Sequence, residues 1–117
     1  MLVILHGGTM RIWLFVAVAL ALVLATALLM GADVAKGKEV YMSKCSACHA
    51  PGGEGKEAIA KMYKVEMKPL EAKEIQAMKD DQLEEVILKG HGKMKPVDIS
   101  KAQAADVVAF LRTLAKK

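Results

Sequence analysis

The chain has 117 residues, of which 54% are hydrophobic and only 4% aromatic, and its formal net charge at pH 7 is +4. This length leaves room for one main domain, and no basic stretch interleaved with aromatic residues indicates a nucleic-acid partner. We find no Ser/His/Asp set, no glycine-rich phosphate loop and no convincing carboxylate pair, so we expect a protein that is not an enzyme.

An apolar segment lies near the N-terminus. Residues Ile12–Met30 form a run of 19 in which Thr26 is the only residue that is not apolar. The run is longer than the apolar part of a usual signal peptide and reaches the length that spans a bilayer. We therefore predict that residues 1–31 are a signal peptide or a membrane anchor. Translation from Met10 instead of the first methionine is a further hypothesis.

Either fate of this segment places residues 32–117 outside the cytoplasm. All 13 acidic residues and 16 of the 17 basic residues lie in this part, which gives it a formal charge of +3. Only three aromatic residues follow the apolar segment, so a domain of about 86 residues has little core material of its own. We expect a periplasmic domain that is monomeric and either soluble or anchored to the inner membrane through Ile12–Met30.

The first predicted helix of this domain leads to its most informative residues. Small or apolar residues recur at helical spacing from Val34 to Tyr41 and continue into Cys45-Ser46-Ala47-Cys48-His49. Cys-x-x-Cys-His is the attachment signature of a c-type haem. Two thiols on one helical turn can add to the two vinyl groups of a porphyrin, and the adjacent imidazole then lies beneath the iron. The motif predicts one covalent haem c bound through Cys45 and Cys48, with His49 as the proximal iron ligand.

The two cysteines have other interpretations, namely a disulfide, a thioredoxin-like redox pair or half of a zinc site. A structural zinc needs four nitrogen or sulfur ligands, whereas His6 and His91 are the only histidines besides that of the motif. A redox pair of this type is expected in a βαβ setting, and no segment alternates with the period of a strand. A buried haem also supplies the large apolar body that the core lacks, so we expect the haem-free chain to be largely unfolded.

The segment after the motif is predicted to be mostly loop. Residues 51–55 contain a proline and three glycines, which indicates a flexible loop. A short helix is predicted over Lys56–Tyr63, and a charged stretch follows at Glu71–Lys79. The residues expected to face inward in these two segments are Ile59, Met62, Tyr63, Ile75 and Met78.

Two further helices complete the predicted domain. Asp80 or Asp81 is expected to be the N-cap of a helix over Gln82–Lys89, and Gly90 is expected to be its left-handed C-cap. A capping box that starts at Ser100 predicts the beginning of the last helix. The core residues expected from these helices are Leu83, Val86, Ile87, Ala104, Val107, Val108, Leu111 and Leu114. The domain is therefore predicted to be all-α.

The sixth ligand of the iron decides whether the haem has an open face. The methionines that follow the motif are Met62, Met67, Met78 and Met94. We prefer Met94, because a glycine-rich loop bounded by Pro96 can present its sulfur from the far side of the ring. Met67 lies only 18 residues beyond His49 in a similar Met-Lys-Pro context, and His91 would give bis-histidine ligation. An unligated sixth position would permit gas binding.

These segments together resemble the small class I monohaem cytochromes c over residues 32–117. The matching segments are CSACH at 45–49, Pro69-Leu70, KGHGKMKP at 89–96 and VVAFLRTL at 107–114. The resemblance implies three to five helices wrapped around one covalent haem, preceded here by an apolar signal or anchor helix. The chain departs from the usual Met-Pro pair of the family, because Lys95 separates Met94 from Pro96.

The resemblance also implies two sets of contacts. The first and last helices are expected to cross with Gly37 and Tyr41 against Val107 and Phe110. The carbonyl of Pro69 is expected to accept the imidazole N–H of His49, with Pro51 as the weaker choice, and such a bond fixes the ring and tunes the iron.

The function expected from these residues is one-electron transport by a haem that His49 and Met94 ligate, between periplasmic or membrane redox proteins. Lys89, Lys93 and Lys95 border the predicted ligand loop, where they either steer an acidic partner or act as ordinary solubilising residues. Two alternatives are a haem-based sensor or gas-binding module, and a cytochrome subunit tethered to a larger oxidoreductase.

Overall fold

The computed structural model describes residues 2–28 and 31–115, and the side chains of residues 8–23 and 31–115. The chain divides into two compact units, Met1–Gly31 and Ala32–Lys117. The helices are α1 (Leu2–Leu28), α2 (Val34–Lys44), α3 (Ser46–His49), α4 (Glu57–Tyr63), α5 (Lys73–Gln76), α6 (Asp80–Lys89) and α7 (Lys101–Thr113). The described residues contain no strand beyond one isolated bridge between His91 and Met94, which confirms the predicted all-α class.

The first unit is built on α1, whose described side chains are exposed. Across residues 2–28 and 31–115, no helix combines the length and apolar character that crossing a membrane requires. The predicted anchor over Ile12–Met30 is therefore not confirmed. Leu29 and Met30, at the predicted end of that segment, lie outside the described residues, as does Met1.

The second unit is organised by the crossing of α2 and α7. Gly37 is buried there, and a Cβ atom on it would overlap the backbone carbonyl of Asp106. Only a glycine lets the two backbones approach this closely. One turn further along, the rings of Tyr41 and Phe110 pack with their centroids 5.1 Å apart and their planes tilted by 53°. The predicted contact of Gly37 and Tyr41 with Phe110 and the buried Val107 is confirmed.

A carboxylate of α7 also fixes the beginning of α2. The backbone N–H of Asp33 donates to Oδ1 of Asp106 at 2.7 Å, 73 residues away in the sequence. The side chain of Asp33 in turn caps α2 by accepting the N–H of Lys36 at 3.1 Å. These bonds satisfy amide groups that a helix start leaves without partners inside the helix. The crossing is thus fixed by polar contacts at one end and by aromatic packing at the other.

Helix α6 packs its apolar face on α7. Leu83 and Ile87 are buried and Val86 is half-buried, as their spacing predicts. The main cluster of buried side chains among the described residues consists of Tyr41, Cys45, Leu83, Ile87, Ala104, Val107, Val108, Phe110 and Leu111. Most of these side chains are of medium size, so the core of this unit is small.

The two ends of α6 differ from their predicted form. The N-cap is Lys79, whose backbone N–H donates to the side chain of Gln82 at 2.9 Å, so the prediction of Asp80 or Asp81 is wrong. Both aspartates lie in the first turn, where a carboxylate favours the positive end of the helix dipole. Gly90 ends the helix with φ 79° and ψ 172°, which is a positive φ but not the predicted left-handed helical conformation.

The segment between α5 and α6 is fastened to α7 by Arg112. Its guanidinium donates to the carbonyl oxygens of Gln76 at 2.8 Å and Met78 at 2.6 Å, and to Oδ1 of Asp80 at 2.7 Å. The amide of Gln76 also donates to the carbonyl of Leu111 at 3.0 Å. Hydrogen bonds from a charged donor such as the guanidinium of Arg112 are stronger than those between neutral groups. They hold a stretch with few apolar residues against the core.

Helix α4 is less buried than its sequence predicts. Ile59 is half-buried, but 64% of Met62 and 41% of Tyr63 are exposed, so the prediction that these two face inward is wrong. A helix of seven residues makes only two turns and presents one narrow stripe to the domain, and Ile59 occupies that stripe. Ile75 and Met78, predicted to be inward in the next segment, are half-buried against the core.

The close approach at Gly37 can be tested by replacing it with alanine. Gly37→Ala should lower the free energy of unfolding by roughly 1–3 kcal/mol, because the added methyl group has to push α2 away from the carbonyl of Asp106. Thermal unfolding followed by circular dichroism measures the change in the full chain. Gly31→Ala, where a Cβ meets nothing within 4 Å, is the matched control and should leave the midpoint unchanged. Equal midpoints for both variants would contradict the tight crossing.

Candidate haem site

The Cys-x-x-Cys-His motif lies directly at the end of α2. Cys45 ends α2, with its N–H bonded to the carbonyl of Tyr41 at 2.8 Å, and α3 then forms a single turn from Ser46 to His49. The N–H of His49 bonds back to the carbonyl of Cys45 at 3.0 Å. Both cysteines are free thiols, Cys45 buried and Cys48 exposed. The end of α2 and the turn after it therefore carry two sulfurs and one imidazole, at positions 45, 48 and 49.

The thiol chemistry differs from that of a redox-active pair. Burial raises the pKa of the Cys45 thiol, and the nearby Cys48 raises it further. Reactive Cys-x-x-Cys pairs show the opposite change, because their chemistry needs a thiolate at neutral pH. Within the part of the chain that the structure describes, no group of three or more His, Cys, Asp and Glu side chains is placed to hold a metal ion.

His49 is half-buried, and one of its ring nitrogens is buried without a protein partner. Its Nδ1 atom is inaccessible to solvent and has no hydrogen-bond partner among the described residues. Desolvation lowers the pKa of this histidine, which favours the neutral imidazole, the form that binds metals. Buried polar atoms are nearly always hydrogen-bonded, so an unpaired one indicates a functional constraint. A neutral imidazole beside two free thiols fits the donor set that a c-type haem requires.

The bond predicted between His49 and Pro69 is not present. The carbonyl of Pro69 accepts the N–H of Ala72 at 3.0 Å, and Nδ1 of His49 remains unpaired. Pro69 begins the turn that leads into α5, and this turn directs its carbonyl to its own chain. Pro51, the weaker choice, is exposed and likewise does not pair with the imidazole.

The loop after the motif folds back onto it. The N–H of Gly55 donates to the carbonyl of His49 at 2.8 Å, and the N–H of Lys56 donates to the carbonyl of Cys48 at 3.0 Å. Gly55 has φ 82°, a conformation that a residue with a side chain rarely adopts. The loop is itself held by a bond from the N–H of Leu70 to the carbonyl of Gly53 at 2.8 Å. Backbone bonds therefore fix the carbonyl side of the motif.

Ala50, the residue after the motif, has an unusual conformation. It is buried, with φ 67° and ψ 160°, a region that is essentially reserved for glycine and costs about 1–3 kcal/mol for other residues. Its carbonyl accepts the hydroxyl of Tyr41 at 2.5 Å and the N–H of Gly53 at 3.1 Å. Burial raises the pKa of Tyr41 to about 12, so its hydroxyl remains a donor at physiological pH.

Sequence reasoning did not find this pair of residues. Tyr41 was predicted only as a core contact of the crossing helices. Its position four residues before Cys45 on α2 was the available signal, because it places the phenol over the turn that holds the motif. Nothing in the sequence marks the conformation of Ala50.

Met94 lies in a turn that two glycines make possible. The N–H of His91 donates to the carbonyl of Met94 at 3.0 Å and the reverse bond is 2.9 Å, which closes the turn around Gly92 at φ 55°. A Cβ on Gly90 would lie 2.6 Å from the carbonyl oxygen of Met94 and 2.9 Å from the nitrogen of Pro96. Met94 is half-buried whereas His91 is exposed.

The other methionines have different surroundings. Met67 is half-buried, and a Cβ on Gly55 would lie 3.3 Å from its Cβ, so it packs against the loop that follows the motif. Met78 packs on the core and Met62 is exposed. The structure thus distinguishes Met94, in a glycine-bounded turn, from three methionines in other settings.

Comparison with known proteins adds one finding to this geometry. A family model described as cytochrome c oxidase, cbb3-type, subunit III matches residues 32–111, which extend from the start of the second unit into α7. No curated protein matches the chain. The match confirms the resemblance to small c-type cytochromes and supports a haem-based electron carrier. The chain therefore belongs to the family of cytochrome c oxidase, cbb3-type, subunit III, and its second unit is a c-type cytochrome domain.

Proposed function

We propose that the second unit is a one-electron carrier in which Cys45 and Cys48 hold haem c covalently and His49 and Met94 are its axial ligands. The observation that carries the proposal is the buried, unpartnered Nδ1 atom of the half-buried His49, next to two cysteines that form no disulfide. Bound haem c supplies an Fe(III)/Fe(II) couple that exchanges one electron.

Backbone hydrogen bonds hold in place the two segments that would ligate the iron. The proximal side is supported by the end of α2 and by the loop bonded to the carbonyls of Cys48 and His49. The turn that carries Met94 is tied to α6, because the N–H of Val97 donates to the carbonyl of Ile87 at 2.8 Å. A thioether ligand excludes other ligands and raises the reduction potential. This arrangement favours electron transfer over gas sensing or catalysis, and we propose no enzymatic activity for the chain itself.

The lysines around the ligand turn support an acidic redox partner. Lys89 is paired with Glu85 at 3.1 Å, so its charge is partly compensated. Lys93 and Lys95 are exposed on either side of Met94. Their charges attract anions to this face over about one Debye length, roughly 10 Å at 0.1 M salt. We therefore assign partner steering to Lys93 and Lys95 more than to Lys89.

We further propose that the domain works in the periplasm as a monomer. The haem attachment motif and the apolar segment Ile12–Met30 support export. A second candidate is a cytochrome subunit of a larger oxidoreductase. The family description favours it, because it names a subunit of an oxidase.

The ligand assignment predicts a difference between two methionine variants. Met94→Ala should abolish the sulfur-to-iron absorption band of the oxidised protein and lower its reduction potential, because the thioether ligand is lost. Met67→Ala, the matched control, should keep both. Absorption spectroscopy of the purified haem protein measures the band, after denaturing electrophoresis with haem staining has verified covalent attachment. Loss of the band in Met67→Ala alone would overturn the assignment, and a wild-type chain without covalent haem would overturn the whole function.

The steering role predicts a salt-dependent rate. Lys93→Gln with Lys95→Gln should slow oxidation of the reduced protein by ferricyanide, an anionic probe, severalfold at low ionic strength. Lys36→Gln with Lys38→Gln on α2 removes the same charge from another helix and is the control. Stopped-flow rates across a series of salt concentrations measure the effect. Identical salt dependence in both double variants would show that these lysines only confer solubility.

The two candidate functions predict different behaviour of the full chain in its host. As a free carrier, the haem-stained chain should be released in the soluble periplasmic fraction and elute as a monomer in gel filtration. As an oxidoreductase subunit, it should sediment with membranes and co-migrate with other haem proteins after mild detergent extraction. Membrane fractionation followed by native electrophoresis distinguishes the two.

A further inference from the structure

We infer that the hydroxyl of Tyr41 is a positioning group for the haem ligand His49 and acts by holding Ala50 in its strained conformation. The inference rests on the proposed function, in which His49 binds the iron. It assigns to Tyr41 a role beyond core packing. It also gives a reason for a buried hydroxyl in a core that is otherwise apolar.

Ala50 has a backbone conformation that is strained for a residue with a side chain. Two described residues other than glycine have positive φ, namely Lys64 and Ala50. Lys64 has ψ 49°, a left-handed conformation that other residues adopt occasionally at a helix end. Ala50 has ψ 160°, which leaves only the region open to glycine. Such a conformation persists only where surrounding contacts enforce it.

The contacts that enforce it are present on both sides of Ala50. Its N–H is bonded to the carbonyl of Ser46 at 2.9 Å as the last bond of α3. Its carbonyl accepts the phenol of Tyr41 at 2.5 Å and the N–H of Gly53 at 3.1 Å. Gly53 belongs to the loop that Ala50 itself begins, whereas Tyr41 lies on α2 and is packed on α7 through Phe110. The phenol is therefore the bond that ties Ala50 to the rigid helix pair.

The conformation of Ala50 determines where the backbone leaves His49. With φ at 67°, the chain turns back and brings Gly55 to the carbonyl of His49 at 2.8 Å. If Ala50 relaxed to a negative φ, the chain after His49 would point elsewhere and this bond would be lost. The backbone that carries the imidazole would then be less firmly held, and the ring could change its orientation with it. Ring orientation and the bonds around a ligating histidine tune the metal that it binds.

A set of variants of the haem protein tests this role. Tyr41→Phe removes the hydroxyl and keeps the ring that packs on Phe110. It should shift the reduction potential and the paramagnetically shifted resonances of the His49 ring. Ala50→Gly alone should leave both near the wild-type values, because glycine adopts this conformation without strain. In the double variant Tyr41→Phe with Ala50→Gly, both quantities should return most of the way to their wild-type values, since a glycine backbone does not need the bond from the phenol.

Two controls separate positioning from packing. Tyr63→Phe removes the same hydroxyl from an exposed phenol and should change neither quantity. Phe110→Leu weakens the packing against Tyr41 without removing the bond to Ala50; it should lower the melting temperature but leave the potential near wild type. Square-wave voltammetry and proton NMR of the oxidised protein provide the readouts.

The outcomes are distinct. A Tyr41→Phe protein with an unchanged potential and only a lower melting temperature, like Phe110→Leu, would overturn the inference and leave Tyr41 as a core residue. If Tyr41→Phe shifts the potential and the additional Ala50→Gly substitution does not bring it back toward the wild-type value, Tyr41 does not act through Ala50, and the inference is overturned. A wild-type protein that binds no haem would instead overturn the proposed function, and the inference with it.

Discussion

The contact of Gly37 with the backbone of Asp106 sets the geometry on which the rest of the domain depends. Because no side chain fits at that position, the two helices are held in one register, with Tyr41 against Phe110 one turn further along. Cys45 follows one more turn along α2 and is itself part of the buried core. The haem motif is therefore positioned by helix packing, and its single turn continues from a helix that cannot shift without breaking that contact.

A small core makes this constraint more important. The buried side chains of the described residues are mostly valine, leucine, isoleucine and alanine, with one tyrosine and one phenylalanine. Domains of this size bury a modest fraction of their surface and have little stability in reserve. Polar contacts supplement the packing at three places: Asp106 at the start of α2, Arg112 at the segment before α6, and Tyr41 at the end of the haem motif. The first two join segments that are far apart in the sequence, whereas the third joins α2 to a residue nine positions further along.

The sequence predicted those features that depend on local patterns. Helices α2, α4, α6 and α7, the core faces of α6 and α7, and the capping box at Ser100, with bonds of 2.9 and 3.1 Å to Gln103, follow from spacing and residue type alone. Helix α5, at Lys73–Gln76, was not predicted. The haem motif was also recognised from the sequence, because its chemistry needs residues that lie close together in the chain. The errors concern features that tertiary contacts decide, namely the exposure of Met62 and the carbonyl of Pro69. The conformation of Ala50 was not predicted at all. At the start of α6, the side chain of Gln82 accepts the N–H of Lys79. The residue types alone do not show that this bond forms in preference to an N-cap at Asp80 or Asp81.

The two sides of the proposed iron site are supported in different ways. His49 lies on a turn whose backbone is bonded to α2, to the loop at Gly55 and, through Ala50, to the phenol of Tyr41. Met94 lies on a turn closed by two bonds to His91 and joined to α6 through the bond between Val97 and Ile87. The proximal ligand thus depends on the α2 and α7 pair, and the distal ligand depends on α6. Helix α6 is joined to α7 by apolar contacts at Leu83 and Ile87 and by the bond from Arg112 to Asp80. That polar bond lies at the first residue of α6, whereas the turn of Met94 follows the other end of the helix, so the distal side has the weaker connection to the rest of the domain. A change in coordination is therefore expected to begin at Met94, while His49 and the two cysteines keep the haem in place.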